Sequence, residues 1–220
     1  MKQIAHIETP FKEKFGVPRQ AGLVDYEARV VFEPDYRVAE AVRGLEDFDY
    51  IWLIWHFHKV ERDDWSPTVR PPRLGGNKRV GVFATRSPYR PNPIGLSCVR
   101  LLRIEPGPVL VVAGADLVDG TPILDIKPYL PYADSHPDAS GGFAQQAPQA
   151  LLQLVDDHGL LLRLPETERK TLEQTLCQDP RPHYQHNPAR LYSMTFGRYE
   201  VRFRVTGNSL EIIELKIPNS

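Results

Sequence analysis

The stretch GLSCVRLLRIEPGPVLVVA, Gly95–Ala113, decides the fold. Its two apolar runs, Gly95–Ile104 and Val109–Ala113, have the length and β-branched content of strands, and the Pro/Gly residues between them make a turn. Working outward, Gln3–Ile7, Ala28–Phe32, Tyr50–His58 and Arg79–Ala84 read the same way. Six strands with no long helix between them predict a mainly β chain whose first part closes into an antiparallel six-stranded β-barrel. A short helix is expected over Arg37–Arg43, ended by Gly44. Asp116–Pro131 is interrupted by Pro122, Pro128 and Pro131, and is expected to be an ordered loop with a short strand.

After residue 138 the composition turns small and polar, so 1–138 is expected to be the barrel domain and 139–149 a linker. Residues 150–220 then read as a small α+β domain. Leu151–Val155 is a strand, Pro165–Leu176 a helix, and VRFRV (Val201–Val205) a strand joined through Thr206–Ser209 to LEIIEL.

With 41% hydrophobic and 25% charged residues in 220, this is the composition of an ordinary globular chain. The longest apolar candidate, Tyr50–Trp55, is far short of a membrane span, and the start MKQIAHIETPFKEKFG has no secretory apolar region. A cytoplasmic location without membrane contact is expected. Cys98 and Cys177 lie far apart with no ligand cluster beside either, so no metal is expected and both thiols are expected to be reduced.

Charge is segregated. From Trp65 to Arg103 there are eight Lys/Arg and no Asp or Glu, in a chain of net charge −1, so the rest sums to −9. Within that stretch prolines stiffen the backbone, Gly75-Gly76 permits tight turning, and Arg86 and Arg90 offer planar forks for carboxylates or phosphates. The segment reads as a rigid cationic rim that attracts polyanions, or as a solvated basic face.

Three runs, GLEDFDYIWLIWHFHK (44–59), RPPRLGGNKRVGVFATRSPYRPNPIGLS (70–97) and DLVDGTPILDIKPYLPYAD (116–134), together resemble the TsaA-like family of S-adenosylmethionine-binding β-barrel proteins. The likeness spans about residues 1–140. QDPRP (178–182) and VRFRV are similar to the C-terminal domain of bacterial tRNA methyltransferases of that type. The resemblance implies methylation of N6 of threonylcarbamoyladenosine at position 37 of threonine tRNA, read through its anticodon stem-loop by a homodimer. It also implies that the barrel binds the cofactor, since no Gly-rich strand-to-helix turn of a Rossmann site is present.

The resemblance further implies a cofactor-contacting set: Pro18, Arg19 and Gln20; His58 and Lys59; Arg86, suited to the methionine carboxylate; Leu96, as an apolar wall for adenine; and Asp119, Gly120, Thr121 and Pro122. Arg70, Arg73 and Arg90, with Arg202 and Arg204, are the expected RNA-binding cations. For chemistry, Asn92 between two prolines can accept from the adenine amine, by analogy with the Asn/Asp-Pro motif of other N6-adenine methyltransferases. Asp125, Lys127 and Tyr129 alternate along an extended segment and would share one face, with Lys127 on the threonylcarbamoyl carboxylate and Asp125 accepting a proton. The competing classes are a non-catalytic barrel that grips tRNA or another anion, and a methyltransferase acting on a small molecule. Cofactor binding without RNA separates an enzyme from a scaffold, and the cationic segment speaks against a small neutral substrate.

Overall fold

The computed structural model describes residues 1–60, 65–146, 152–181 and 187–218. Strands β1 (Ala5–Glu8), β2 (Glu27–Phe32), β3 (Tyr50–His56), β4 (Thr68–Val69), β5 (Val80–Gly81), β6 (Ile94–Glu105), β7 (Val109–Ala113) and β8 (Pro122–Pro128) precede a one-turn helix, α1 (Pro131–Asp134). Then come β9 (Gln153–Val155), the helix α2 (Glu166–Cys177), and β10 (Leu191–Phe196), β11 (Tyr199–Thr206) and β12 (Ser209–Lys216).

Six strands close into an antiparallel barrel in the order β1-β2-β7-β6-β3-β8. Period-two alternation decides which side chains fill it: Ile51, Leu53 and Trp55 of β3 are buried, while Tyr50, Trp52, Ile54 and His56 are not. β7 is buried along its whole length, as its unbroken apolar run requires.

Three sequence expectations differ from the structure. Arg79–Ala84 is not a barrel strand. Only Val80–Gly81 is extended, pairing with Thr68–Val69 in a separate ribbon, and Val82–Ala84 winds into a 3₁₀ turn of which Val82 alone is buried. β8 supplies the sixth barrel strand from within the segment expected to be mostly loop. Its prolines stand at its two ends, the positions where a strand tolerates a missing N–H. The expected helix over Arg37–Arg43 is replaced by 3₁₀ turns at Pro34–Tyr36 and Ala39–Val42. Of the two, only Val42 is buried, and so short a segment gains too few helical hydrogen bonds to offset nucleation. Gly44, with φ +83°, opens a third such turn, Leu45–Asp47, rather than capping a helix.

The C-terminal sheet has the order β10-β11-β12-β9, with β9 parallel to β12 and the others antiparallel. β10 is an element the sequence reading did not single out. Val201, Phe203 and Val205 of β11 point into the core as their alternation predicts. Thr171, Leu172, Thr175 and Leu176 are the buried residues of α2. Residues 139–146 of the expected linker are exposed, whereas 147–149, Leu151 and Pro182 lie outside the described residues.

The N-terminal segment after β1 ties the two sheets together. Phe11 meets Tyr26 of the barrel side and Phe196 of β10 edge to face, and Phe15 stacks on Tyr192 and Phe203. The Gly197 N–H donates to the Pro10 carbonyl, and the Thr195 N–H to a Glu13 carboxylate oxygen. This wedge fixes the start of the loop 14–20, which forms one wall of the cleft described next.

Candidate functional site

Four segments meet at one mouth of the barrel: the loop 14–20, the end of β3 with residues 57–60, the run 85–96 entering β6, and residues 116–121 after β7. They enclose a cleft of about 770 Å³, lined among others by Arg19, Gln20, His58, Lys59, Arg86 and Arg90. That volume suits a small organic ligand. Lys14 adds a further cation, and Asp116 is the one carboxylate among the lining residues.

The floor is a hydrogen-bonded chain. Trp55 Nε1–H donates to Ser97 Oγ (2.9 Å), whose hydroxyl donates to Asp116 Oδ1 (2.5 Å). Trp55 lies against Gly95, its partner across the β3–β6 ladder, so closely that a Cβ there would fall 2.2 Å from a ring carbon. Phe57 packs on Trp55 at 4.2 Å between ring centroids. Burial raises the Asp116 carboxyl pKa above its ordinary range, opposed by the Ser97 hydrogen bond and by Arg86. The Tyr26 phenol below it is pushed up by burial and by the Asp116 charge.

Around the rim, Arg86 Nη1 donates to Gln20 Oε1 (2.5 Å), joining opposite walls. Arg19 donates to the carbonyls of Asp179 and Arg181; burial depresses its pKa, Asp179 opposes that, and Arg73 adds to the depression. His58 is pushed toward its neutral form by burial and by the nearby Lys59 and His56. Arg90 is braced by the carbonyls of Thr85 and Ser87, and Lys59 by that of Lys12. No described residue hydrogen-bonds the exposed Asn92 side chain at the cleft edge, which leaves its carboxamide available to a ligand.

The cleft therefore gathers Pro18, Arg19, Gln20, His58, Lys59, Arg86, Arg90, Asn92, Leu96 and Thr121 from the expected set. It does not gather the rest. Leu96 is 54% exposed and faces out of the barrel, so it bounds the cleft from outside rather than from the core. Asp119 is engaged elsewhere: its carboxylate accepts from the Thr9 N–H (2.9 Å) and from Lys12 Nζ (2.7 Å), while the Gly120 N–H donates to Ile7. Asp119, Gly120 and Pro122 thus form a turn that pins the N-terminal segment and are not cleft-lining.

Asp125, Lys127 and Tyr129 do share a face, but it is the outer one. Asp125 and Lys127 stand opposite Ile54 and Trp52 and pair with each other at 3.1 Å, and Tyr129 packs on Tyr50 and Trp52. Within one chain they do not reach the cleft, so the expected catalytic roles are not supported by their placement. Arg70 and Arg73 lie exposed on the ribbon beyond the rim.

Arg202 and Arg204 lie on the C-terminal sheet away from the cleft. Arg202 pairs with Glu200 (3.0 Å) and Glu214 (3.2 Å), Lys216 pairs with the same two acids, and Arg204 stands opposite Glu211. Such a face has no excess of cations to release counterions from RNA. Replacing both arginines by alanine is expected to change tRNA affinity by less than about twofold in filter binding, since exposed pairs contribute little.

Sequence reasoning missed Asp116, Ser97 and Trp55. Among the described residues no group of three or more His, Cys, Asp or Glu is placed to hold a metal, and no helix is long and apolar enough to cross a membrane.

Comparison with known proteins bears on the family and the fold. Residues 6–135 match the family model of the tRNA-methyltransferase O N-terminal domain, and residues 143–217 that of the TrmO C-terminal domain. A tRNA (adenine(37)-N6)-methyltransferase of Escherichia coli K12 is 44% identical over 98% of this chain and 97% of its own length. A protein of the same name from Eikenella corrodens is 52% identical over 72% of this chain and 91% of its own. A crystal structure of TrmO from Pseudomonas aeruginosa superposes with a TM-score of 0.76 at 33% identity, covering 97% of both chains.

Proposed function

The chain belongs to the TrmO family, and we propose that it is an S-adenosylmethionine-dependent methyltransferase acting on N6 of threonylcarbamoyladenosine at position 37 of threonine tRNA. The observation that carries this reading is the mouth cleft, in which cations on the rim stand over a single carboxylate on the floor. That donor set fits a zwitterionic cofactor with an extra positive charge. Arg86, Arg19 and Lys14 suit its carboxylate, Asp116 its positive charge, and Trp55 and Phe57 offer ring surface beside it.

S-adenosylmethionine, when bound, supplies an electrophilic methyl group. The chain's own task is positioning, because an adenine amine whose lone pair is delocalised into the ring must be held in its attacking form. Asn92 accepts an N–H of that amine. Arg90 and Arg73 stand on the side from which RNA arrives and answer the carboxylate of the threonylcarbamoyl group. A second copy of the chain covers the outer barrel face that carries Tyr50, Trp52 and Tyr129, beside the strongly exposed Tyr132, which makes the working unit a homodimer.

Calorimetry without RNA separates this enzyme from a scaffold, with light scattering to read the mass. S-adenosylmethionine at about 100 times its dissociation constant should stabilise the fold by roughly 2.7 kcal/mol. Threonylcarbamoylated tRNA should be methylated and an unmodified transcript poorly so. Absence of cofactor binding at millimolar concentration overturns the enzyme reading, and equal turnover of the two RNAs overturns the substrate assignment.

A further inference from the structure

The excursion between β3 and β6 displays aromatic rings that neither the barrel core nor the cleft uses. Phe83 is 72% exposed and Trp65 48%, and the two rings stack with centroids 6.3 Å apart at 22°. The Arg90 guanidinium lies 6.0 Å from the Phe83 ring centre.

Exposed phenylalanine loses contact with the core, so its mounting matters. Phe83 sits in the 3₁₀ turn Val82–Ala84, which is anchored from below. Val82 is buried, its N–H donates to the Pro67 carbonyl, and the Thr85 N–H and hydroxyl both donate back to its own carbonyl. The Ser66 N–H donates to the carbonyl of Tyr89, which tethers Trp65's neighbour to a residue lining the cleft. The rings are held on a rigid shelf beside the cleft mouth, and not by a loose loop.

What this shelf meets is set by charge. Arg70, Arg73, Lys78, Arg79 and Arg86 are exposed in the same segment, and among the described residues none of them pairs with a carboxylate. Exposed apolar rings in a segment this rich in exposed cations suit a polyanion that also presents flat π faces. Single-stranded RNA is that ligand: phosphates take the cations, and an unstacked base takes the ring.

Resting on the reading that this protein acts on tRNA, we propose that Phe83, backed by Trp65, is a stacking platform for a base next to the target adenosine. The target enters the cleft only by leaving the loop stack, which exposes its neighbour's face. The Phe83 ring replaces the stacking partner that the neighbour loses, while Arg73, Lys78 and Arg79 follow the backbone.

The test uses the full-length protein and threonylcarbamoylated threonine tRNA, with binding read by filter retention over a range of salt. Phe83→Ala should weaken tRNA binding roughly tenfold, and Phe83→Leu nearly as much, whereas Phe83→Trp should retain it. Stacking releases no counterions, so the salt slope of Phe83→Ala should equal that of the unaltered protein, while Lys78→Ala with Arg79→Ala should flatten it. S-adenosylmethionine affinity and oligomeric state should not change in Phe83→Ala. Unaltered tRNA affinity in Phe83→Ala, retention by Phe83→Leu, or a changed oligomeric state overturns the platform. Failure of the unaltered protein itself to bind tRNA overturns instead the functional reading on which the platform rests.

Discussion

Gly95→Ala is expected to lower the melting temperature by roughly 2–12 °C, from an overpacking cost of about 1–3 kcal/mol spread over a chain of this size. It is also expected to weaken S-adenosylmethionine binding by about tenfold or more, a larger effect than one methyl group usually has on a strand. The added Cβ would stand 2.2–2.5 Å from three carbons of the Trp55 indole, inside any permissible contact. The indole cannot yield cheaply: it is buried in the barrel, packed by Phe57, and committed through Nε1 to Ser97. If the ring moves, Ser97 loses one partner and the carboxylate it orients swings with it. Differential scanning calorimetry and titration calorimetry read the two effects separately. A variant with both unaltered melting and unaltered affinity would show that Trp55 is not a fixed part of the floor.

Much of the barrel was legible because its strands carry their own evidence. β1, β2, β3, β6 and β7 coincide in place with apolar runs bounded by Pro and Gly, and the antiparallel closure was legible because no long helix stands between them. The sixth strand was misplaced for a physical reason. VGVFA looks like a strand locally, but only Val82 finds a core to enter, whereas ILDIK is bracketed by prolines that look like breakers until they prove to be strand ends.

The site divides in the same way. Alternation told correctly that Asp125, Lys127 and Tyr129 share a face, but a period of two cannot say whether that face looks into the barrel or out of it. Nor could the alternation in VRFRV reveal that Glu200 and Glu214 would neutralise Arg202, since the second acid comes from the partner strand. Asp116 was hidden by being a single aspartate in a turn-rich run. Its meaning depends on Ser97, 19 residues earlier, and on the cations of three other segments.

Asp116→Asn is expected to reduce S-adenosylmethionine affinity by about 10- to 100-fold, the loss of one charge-assisted contact of roughly 1.5–3 kcal/mol, while leaving the fold intact. Asparagine keeps the size of the side chain and an oxygen for the Ser97 hydroxyl, so the floor chain survives. Stability should rise slightly at neutral pH. The native carboxyl pKa is raised by burial, so between the ordinary carboxyl range and that raised value the folded protein holds more protons than the unfolded chain. Stability therefore declines as pH climbs through that window, and the amide removes the decline. Ligand binding runs the opposite way. Affinity of the unaltered protein for the cationic cofactor should fall as acidification protonates Asp116, and the Asn variant should show no such fall over the same range. Comparing ligands locates the contact. S-adenosylhomocysteine keeps the ammonium and lacks the sulfonium charge, so a loss confined to S-adenosylmethionine assigns Asp116 to the sulfonium, and an equal loss for both assigns it to the ammonium. Titration calorimetry that finds neither ligand weakened, and the same pH dependence in both proteins, would remove Asp116 from the cofactor site and leave it a buried support for Ser97 and Trp55.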